Sequence, residues 1–349
     1  MKVLLSGVGG PTPIGIAKRL RLKYPHIELI GADGNRFAPG LYRENLFNKC
    51  ILAPYTRQID YWPVLEEVIE KEKIDFAFIV PETEVLAWSK RLVDHQLPCL
   101  SLIPDYEVAT FMFNKKDLAE FLYEKDLSAK TVSVNHPNND EIAALGDILK
   151  YPYWVRLNKT AGALGAMKIH HSGELLPWLK MFPENADFIA SEFLPGRNYA
   201  CKLLYKHGSL ILGAAAERIE YILPNLSPTK ITGMCARGRL LNDHDILLRA
   251  HHAMTLIYDR FEKPIHGMFT VDMKENKSGV PMITEINLRH VSFMHAYSMA
   301  GANFAFETLE HFYYNKPPCS PILYTFEEEY HFIRGVDSEL FIVRDSQLL

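Results

Sequence analysis

Apolar and polar positions follow two different rhythms along the chain. Over about the first hundred residues, short apolar runs alternate with stretches that have a helical period. Such strand–helix alternation predicts a parallel, doubly wound α/β sheet. The predicted strands are Lys2–Leu5, Glu28–Ala32, Phe76–Val80 and Pro98–Leu102, and the helices between them are Ile14–Tyr24, Trp62–Glu72 and Val85–Asp94.

Two loops of this first half hold candidate chemistry. The glycine turn after the first strand suggests a dinucleotide site, but Thr12 stands where the third fingerprint glycine would be, with prolines on both sides. A structural turn, or a loop whose backbone N–H groups meet another ligand, is the favoured interpretation. After the third strand, Glu82 or Glu84 could contact a polar substrate, although capping of the next helix is the stronger expectation.

The second half has the pattern of antiparallel strands mixed with helices. Asn114 is predicted to cap a helix, and the small-residue loop 157–166 joins two strands and could close its amides over phosphates or be a floppy hairpin. The stretch with Arg218 and Lys230 is predicted to be irregular. The predicted elements are helix Lys115–Lys125, strands Tyr153–Arg156, Met167–His170, Phe188–Glu192, Tyr199–Tyr205 and Leu210–Ala216, helix Asp243–Arg260 and a helix beyond Ala302.

The stretch from Gly267 to His290 predicts a hairpin with an unusual polar face. With Ser278-Gly279 as a two-residue turn, Asp272 lies opposite Glu285. Since side chains alternate with a period of two, the same face carries Glu285, Asn287 and Arg289. Carboxylate and amide oxygens suit Mg²⁺, and a guanidinium suits a phosphate. A solvated face with a Glu285–Arg289 ion pair explains the spacing equally well.

Composition narrows the function classes. The net charge of −4 gives no electrostatic reason to expect nucleic acid or an acidic membrane as a partner. The five cysteines have no metal-ligand spacing and indicate reduced thiols, hence a cytoplasmic protein. No apolar run approaches the roughly 18 residues of a membrane span.

Taken in order, these pieces resemble the ATP-grasp superfamily, and among its members the ATP-binding modules of the carbamoyl-phosphate synthase large chain. The resemblance covers about residues 1–310. It is carried by the glycine-turn domain, the helix that opens with a basic residue, the Arg-loop-Gly segment, an E-F-x-x-G hinge from Glu192, and the D…E-x-N-x-R hairpin from Asp272.

The resemblance implies roles residue by residue. Arg289 and Arg156 would be catalytic cations, with Arg289 stabilising the transferred phosphoryl group or acyl phosphate. The metal ligands would be Asp272, Glu285 and Asn287. The nucleotide would be bound by Lys115, Arg156, Thr160, Gly162, Gly165, Glu192, Phe193, Leu194 and Asn198.

Three positions depart from the family pattern. Asn198 stands where a ribose-binding glutamate is common, Leu157 replaces a proline, and the stretch from His290 to Ser292 replaces a glycine-rich segment. The first departure weakens the ribose assignment. The last indicates a specialised substrate pocket.

The implied fold class is α/β, with a Rossmann-like (pre-ATP-grasp) domain followed by an ATP-grasp fold of two α+β subdomains. The expected boundaries are 1–110 for the first domain, 111–315 for the ATP-grasp domain, with 128–195 as its small lid subdomain, and 316–349 for an extension packed on the body.

The implied function is an ADP-forming ligase that joins a carboxylate to an amine or a thiol through an acyl phosphate. Its cofactors would be ATP and Mg²⁺, with Mn²⁺ as an alternative, and its partners small carboxylate and amine substrates; a homodimer stays open. Alternatives are a carbamoyl-phosphate-synthase-like enzyme acting on bicarbonate or carbamate, a non-catalytic nucleotide-binding protein, and an NAD(P)-dependent enzyme. The last is disfavoured because no Tyr-x-x-x-Lys pair occurs.

Overall fold

A parallel five-stranded sheet forms the first part of the computed structural model, which describes residues 1–94, 96–135, 137–160, 162, 164–317, 322–336 and 341–347. The strand order is β3-β2-β1-β4-β5. The first 101 residues thus form the predicted doubly wound sheet. Its elements are β1 (Lys2–Ser6), β2 (Glu28–Asp33), β3 (Lys49–Leu52), β4 (Phe76–Phe78) and β5 (Leu100–Ser101), with α1 (Pro11–Lys23), α2 (Tyr61–Glu72) and α3 (Glu82–Asp94).

Asp33 at the end of β2 holds the glycine turn in place. Its carboxylate accepts hydrogen bonds from Gly9 N (2.7 Å) and Asn35 N (2.8 Å). A dinucleotide-binding acid needs its oxygens for ribose hydroxyls. Both oxygens of Asp33 serve the protein's own backbone instead, which agrees with a structural role for this turn.

Two helices lead from this sheet to a small antiparallel sheet with the strand order β6-β9-β7-β8. The small sheet lies within the range 128–195 that was predicted for the lid. The boundary predicted at position 110 falls inside the first of the two helices. The elements are α4 (Tyr106–Phe113), α5 (Lys115–Tyr123), β6 (Thr131–Val134), α6 (Asn139–Leu149), β7 (Tyr153–Leu157), β8 (Met167–Ile169), α7 (Leu175–Leu179) and β9 (Phe188–Glu192).

The large sheet follows the order β14-β13-β10-β11-β12-β16-β17, with β15 pairing to β11. Arg218 lies in β11, so the prediction of an irregular stretch was wrong at that residue. The elements are β10 (Asn198–Lys206), β11 (Ser209–Tyr221), β12 (Cys235–Leu241), α8 (His244–Arg260), β13 (Gly267–Glu275), β14 (Pro281–Asn287), α9 (Met294–Met299), α10 (Phe304–Phe312), β15 (Ile322–Leu323), β16 (Tyr330–Ile333) and β17 (Phe341–Arg344).

Both faces of the large sheet are covered, and each face has its own core. Alternate residues of β10 and β13, among them Tyr199 and Phe269, pack against α8 on one face. Residues of opposite parity, such as Ala200, share the other face with α9 and α10. Asp272 lies on this second face, because it pairs with Ala200 on the neighbouring strand. The period of two thus separates an apolar core from the face that carries the polar residues.

The C-terminal segment joins this second face through an aromatic stack. Phe332 of β16 is fully buried, and its ring lies 4.7 Å from the ring of Phe293 at an interplanar angle of 8°. Within the described residues, the segment predicted as an extension therefore continues the large sheet. Positions 318–321, part of the predicted proline-rich link, lie outside those residues.

We predict that Phe332→Ala lowers the free energy of unfolding by about 3–5 kcal/mol, the usual cost of truncating a buried phenylalanine. Urea denaturation followed by circular dichroism measures the change. The matched control is Ile333→Ala at the next position, where the side chain is 36% exposed. That change should cost much less, and an equal loss in both variants would contradict the stacking argument.

Candidate active site

The β13–β14 hairpin places Asp272 directly opposite Glu285, as the sequence predicted. The predicted two-residue turn is wrong, because the loop closes through Asn276, which accepts from Gly279 N and donates to Val280 O. Met273 pairs with Ile283, so Thr284 is an extra residue between the two parts of the register. This bulge restores the Asp272–Glu285 pairing although the turn is longer.

Asp272 is buried between a cation and an amide. Its Oδ1 accepts from Arg218 Nη2 at 2.7 Å, and its Oδ2 accepts from Asn287 Nδ2 at 3.2 Å. Burial raises the pKa of Asp272 to about 6, although the Arg218 charge pulls it down and the Glu285 charge pushes it up. The carboxylate therefore depends on positive charge beside it to stay ionised.

Glu285 is surrounded by two further cations. Its Oε2 lies 3.3 Å from Arg156 Nη1 and 3.8 Å from Lys115 Nζ. Burial works to raise the pKa of Glu285, but the charges of Arg156 and Lys115 outweigh it and hold that pKa below its usual value. Two adjacent carboxylates thus stay charged because each has its own basic partners.

The beginning of α5 fixes Lys115. The Asn114 side chain accepts from Asp117 N and caps the helix, as predicted. Lys115 Nζ donates to the carbonyl oxygens of Asn158 and Thr160, which belong to the loop after β7. Burial lowers the pKa of Lys115, while Glu285 raises it. A cation at a helix N-terminus opposes the helix dipole, so its position is explained by the loop and Glu285 and not by the helix.

Arg156 comes from the small sheet and reaches the large one. It lies in β7, and its Nη2 donates to Thr284 O at 2.6 Å in the bulge of the hairpin. The Arg156–Thr284 hydrogen bond thus joins the small sheet to the large sheet at Thr284, the bulge residue of the hairpin.

The loop after β7 is shaped by two glycines with positive φ, Gly162 (71°) and Gly165 (69°). A Cβ on Gly165 would lie 2.9 Å from Leu157 Cγ, so close packing requires glycine there. Gly162 has nothing within 4 Å of its Cβ position, and it faces Gly233 from the opposite wall of the cleft. Ala161 and Ala163 of the predicted phosphate lid lie outside the described residues.

The predicted nucleotide hinge lies at the end of β9. Glu192 is exposed and accepts from Lys130 N at 3.3 Å, while Lys168 Nζ lies 4.1 Å from the centre of the Phe193 ring. Both hinge residues and Leu194 line the same cleft as Asp272. An adenine base would find a cationic and aromatic wall at this end.

Asn198 lines the cleft with its side chain held by neighbours. Its Nδ2 donates to Tyr221 Oη at 3.0 Å, and its Oδ1 accepts from Arg218 Nη1 at 3.2 Å. The predicted contact with ribose would have to compete with these two bonds.

Arg289 lies beyond the end of β14 and not on the strand itself. Its Nη1 donates to His290 O at 3.1 Å, and the side chain lines the cleft near the carboxylate of Glu82. Glu82 Oε1 accepts from Leu288 N at 3.1 Å. Arg289 thus lines the same cleft as Asp272, but the prediction that it continues the polar face of the strand was wrong, because β14 ends at Asn287.

Two residues of the cleft were missed or undervalued in the sequence. Arg218 continues the alternation of Ala214 and Ala216, and extending the predicted strand by two residues would have placed it beside Asn198. Glu82 was assigned mainly to helix capping, whereas it reaches a residue 206 positions away. No local signal in the sequence indicates that contact.

Eleven of the thirteen predicted site residues line one cavity of about 1370 Å³, and the other two are Lys115 and Gly165. Lys115 lines a small pocket beside it, together with Glu82, Thr160, Glu285 and Asn287. Gly165 packs behind the lid loop, against Leu157 and Phe188. The prediction therefore identified a single site, although the binding roles themselves stay predictions.

The donor set fits a hard divalent cation. Mg²⁺ takes oxygen ligands and usually needs only one or two protein carboxylates, with substrate phosphates completing its shell. Asp272 and Glu285 supply two carboxylates, and Asn287 adds an amide whose nitrogen already points at Asp272. In the described part of the chain, no cluster of three or more His, Cys, Asp or Glu side chains is placed to hold a metal.

Neither a scan against protein-family models nor a search of curated proteins finds a match. Solved structures do match. N5-carboxyaminoimidazole synthetase from Staphylococcus aureus in complex with ADP has a TM-score of 0.69 at 16% identity, over 95% of this chain and 81% of that chain. The biotin carboxylase domain of Hydrogenobacter thermophilus 2-oxoglutarate carboxylase, with MgADP and bicarbonate, has a TM-score of 0.72 at 10% identity, over 95% and 74%.

A third similar structure is L-amino acid ligase from Bacillus licheniformis, with a TM-score of 0.67 at 14% identity over 95% of this chain and 79% of that one. These similarities define the fold of the chain as ATP-grasp, preceded by a parallel α/β domain. The predicted fold class is confirmed. In the part of the chain that the structure describes, no helix is long and apolar enough to cross a membrane.

We predict that Glu285→Gln weakens Mg-ADP binding at least about tenfold, because one of the two carboxylates predicted to hold the metal would be lost. Such a change exceeds ordinary surface effects of about ±0.5 kcal/mol. Calorimetric titration with ADP in the presence and absence of Mg²⁺ measures it. The affinity for metal-free ADP serves as the internal control and should change little. If both titrations match the wild type, Glu285 is not a metal ligand.

We also predict that nucleotide protects the loop 159–166 from limited proteolysis. Among the described residues of the loop, Gly162 has nothing within 4 Å of its Cβ position, so the middle of the loop is open to a protease. Cleavage should slow when a non-hydrolysable ATP analogue and Mg²⁺ are present. Cleavage in the exposed turn Asn276–Val280, which lies outside the cleft, should be unaffected. Equal cleavage of loop 159–166 in both states would argue against a lid.

Proposed function

We propose that the protein is an ADP-forming ligase that uses ATP and Mg²⁺ to join a carboxylate to an amine, or to a thiol, through an acyl phosphate. The observation that carries the proposal is the charge arrangement in the cleft. Two carboxylates suited to a metal lie among basic side chains that come from separate elements: Lys115, Arg156, Arg218 and Arg289. Phosphoryl transfer needs this kind of alignment and charge neutralisation more than covalent help from the protein.

The nucleotide would bind with its base at the hinge of Glu192, Phe193 and Leu194. Its phosphates would then extend along the cleft toward Asp272, beneath the loop that carries Thr160 and Gly162. Lys115 and Arg156 would offset phosphate charge from one side. Mg²⁺, held by Asp272, Glu285 and Asn287, would supply charge neutralisation between phosphate groups.

The substrate carboxylate would approach from the side of Arg289. One carboxylate oxygen forms a bond to the γ-phosphorus while the bond to the bridging oxygen of ADP breaks. Arg289 would stabilise the three charged phosphoryl oxygens during this step. An amine then attacks the acyl carbon, the carbon–oxygen bond to phosphate breaks, and the amine gives up a proton. Because acyl phosphates hydrolyse, the lid loop would exclude water.

Arg218 would prepare Asp272 to hold a metal. In the structure it neutralises Asp272, and burial opposes the charge of Arg218 while Asp272 raises its pKa and keeps it protonated. Arg218 would thus keep Asp272 ionised for a metal, and it lines the same cleft as Arg289.

The surroundings of the reaction complete the proposal. The substrates would be small molecules, and the four cysteines in the described residues are free, in keeping with a cytoplasmic location. The biotin carboxylase domain among the similar structures is described as a dimer. A homodimer is therefore the oligomer to test for by size-exclusion chromatography.

The reaction itself gives the test. ATP consumption should yield ADP and phosphate, should require a carboxylate, and should form a hydroxamate with hydroxylamine, which attacks acyl phosphates. Arg289→Ala should lower kcat at least about a hundredfold with a smaller change in KM for ATP, since its contact strengthens in the transition state. Arg289→Lys should recover only part, because lysine lacks the bidentate fork. AMP and pyrophosphate as products would refute the acyl-phosphate mechanism.

A further inference from the structure

Three distant segments line the part of the cleft around Arg289, and we call this part the substrate pocket. They are the glycine turn with the start of α1, the start of α3, and the backbone after β14. The turn packs directly on the second segment, because a Cβ on Gly7 would lie 2.6 Å from Pro81 Cγ. Glu82 joins the second segment to the third by accepting from Leu288 N. All three segments line one cavity.

One carboxylate and one guanidinium face this pocket without being joined. Glu82 and Arg289 both line the cavity, and each is close enough for its charge to affect the other. No ion pair within 4 Å links them in the described part of the chain. The charges of Lys115 and Glu285 also reach Glu82, and all three residues line the small pocket beside the cleft. Burial raises the pKa of Glu82, while Arg289 and the Leu288 N–H lower it. A ligand with an ammonium and a carboxylate would satisfy both groups.

The remaining walls are mostly apolar. Pro13, Pro81, Val291 and Phe293 line the same region, with Val291 and Phe293 buried in the second core of the large sheet. Such walls favour an apolar substituent on the ligand by excluding water from its surface.

The glycine turn offers almost no donors to a phosphate. Val8 N donates to Ala32 O, Gly9 N to Asp33 and Gly10 N to Gly7 O. The first and third residues of α1 are Pro11 and Pro13, which have no N–H. Between positions 8 and 13, only the N–H of Thr12 is left. An anion cradle at a helix start needs several converging N–H groups, so a phosphorylated substrate lacks its usual anchor here.

We propose that the carboxylate substrate is an unphosphorylated α-amino acid with an apolar side chain, bound as a zwitterion between Arg289 and Glu82. This inference rests on the proposed ligase function and deepens it. The carboxylate meets Arg289 and attacks the γ-phosphate as described above. The ammonium is held by Glu82, which keeps it protonated and prevents it from attacking the acyl phosphate. The amine that completes the reaction therefore comes from a second molecule.

The test measures ADP release with hydroxylamine as the nucleophile, so that the natural amine need not be known. The carboxylate probes are the twenty L-amino acids, the des-amino acid that corresponds to each apolar one, bicarbonate and 3-phosphoglycerate. We expect at least one apolar amino acid to exceed its des-amino counterpart in kcat/KM by about tenfold or more, the usual worth of a charge-assisted contact. A des-amino acid, bicarbonate, 3-phosphoglycerate or a charged amino acid as the best probe would overturn the inference.

A pair of variants isolates the ammonium contact. Glu82→Gln should lower kcat/KM for the best amino acid about tenfold or more and leave that for its des-amino counterpart within about twofold, because only the former needs the charge. Glu84→Gln is the matched control, since Glu84 lies in the same turn of α3 but does not line the cavity. It should keep the wild-type preference. A Glu82→Gln variant that loses both activities equally would show a structural role and overturn the assignment.

Failure of this inference differs from failure of the proposed function. If bicarbonate or a simple carboxylic acid stimulates ADP release and forms a trapped product while amino acids do not, the ligase proposal is supported and the zwitterion site is refuted. If no carboxylate probe stimulates ADP release although Mg-ADP binds, the ligase proposal itself fails, and this inference fails with it.

Discussion

The structure depends on burying two carboxylates side by side on one hairpin. Asp272 and Glu285 could not both remain charged in a partly buried cleft without positive partners, because desolvation and mutual repulsion both favour protonation. Each partner comes from a different element: Lys115 from the start of α5, Arg156 from β7 and Arg218 from β11. The large sheet, the small sheet and the helix between them are thereby held around one point.

Much of the fold and of this site could be predicted because its determinants are local. The alternation in β13 and β14 identifies the polar face, and the cap at Asn114 identifies the helix that begins with Lys115. What could not be predicted was set by contacts between distant segments. Strand β11 extends as far as Arg218 because it pairs with β12 there, and this pairing places Arg218 in the site. The role of Glu82 depends on a hydrogen bond from Leu288, 206 positions further along the chain.

The two ends of the cleft are built in different ways. The end proposed for the nucleotide uses a contiguous hinge at the end of β9, in which Glu192, Phe193 and Leu194 follow one another. The part proposed for the substrate is assembled from loops of the parallel domain and from backbone beyond β14. Loops vary more easily than the elements they connect. A fold of this kind can therefore keep its phosphate chemistry while its substrate changes.

The bulge at Thr284 separates the length of the hairpin turn from the alignment of the carboxylates. Beyond the bulge, Thr284 Oγ1 donates to Asp272 O and Arg156 binds Thr284 O, so the pairing is clamped from within the sheet. In the part of the chain that the structure describes, the hydrogen bonds of the loop Asn276–Val280 join its residues to one another. Extra residues there, such as a short peptide tag or a fluorophore attachment site, would therefore leave Asp272 and Glu285 in register. This loop is a natural position for a reporter of nucleotide binding.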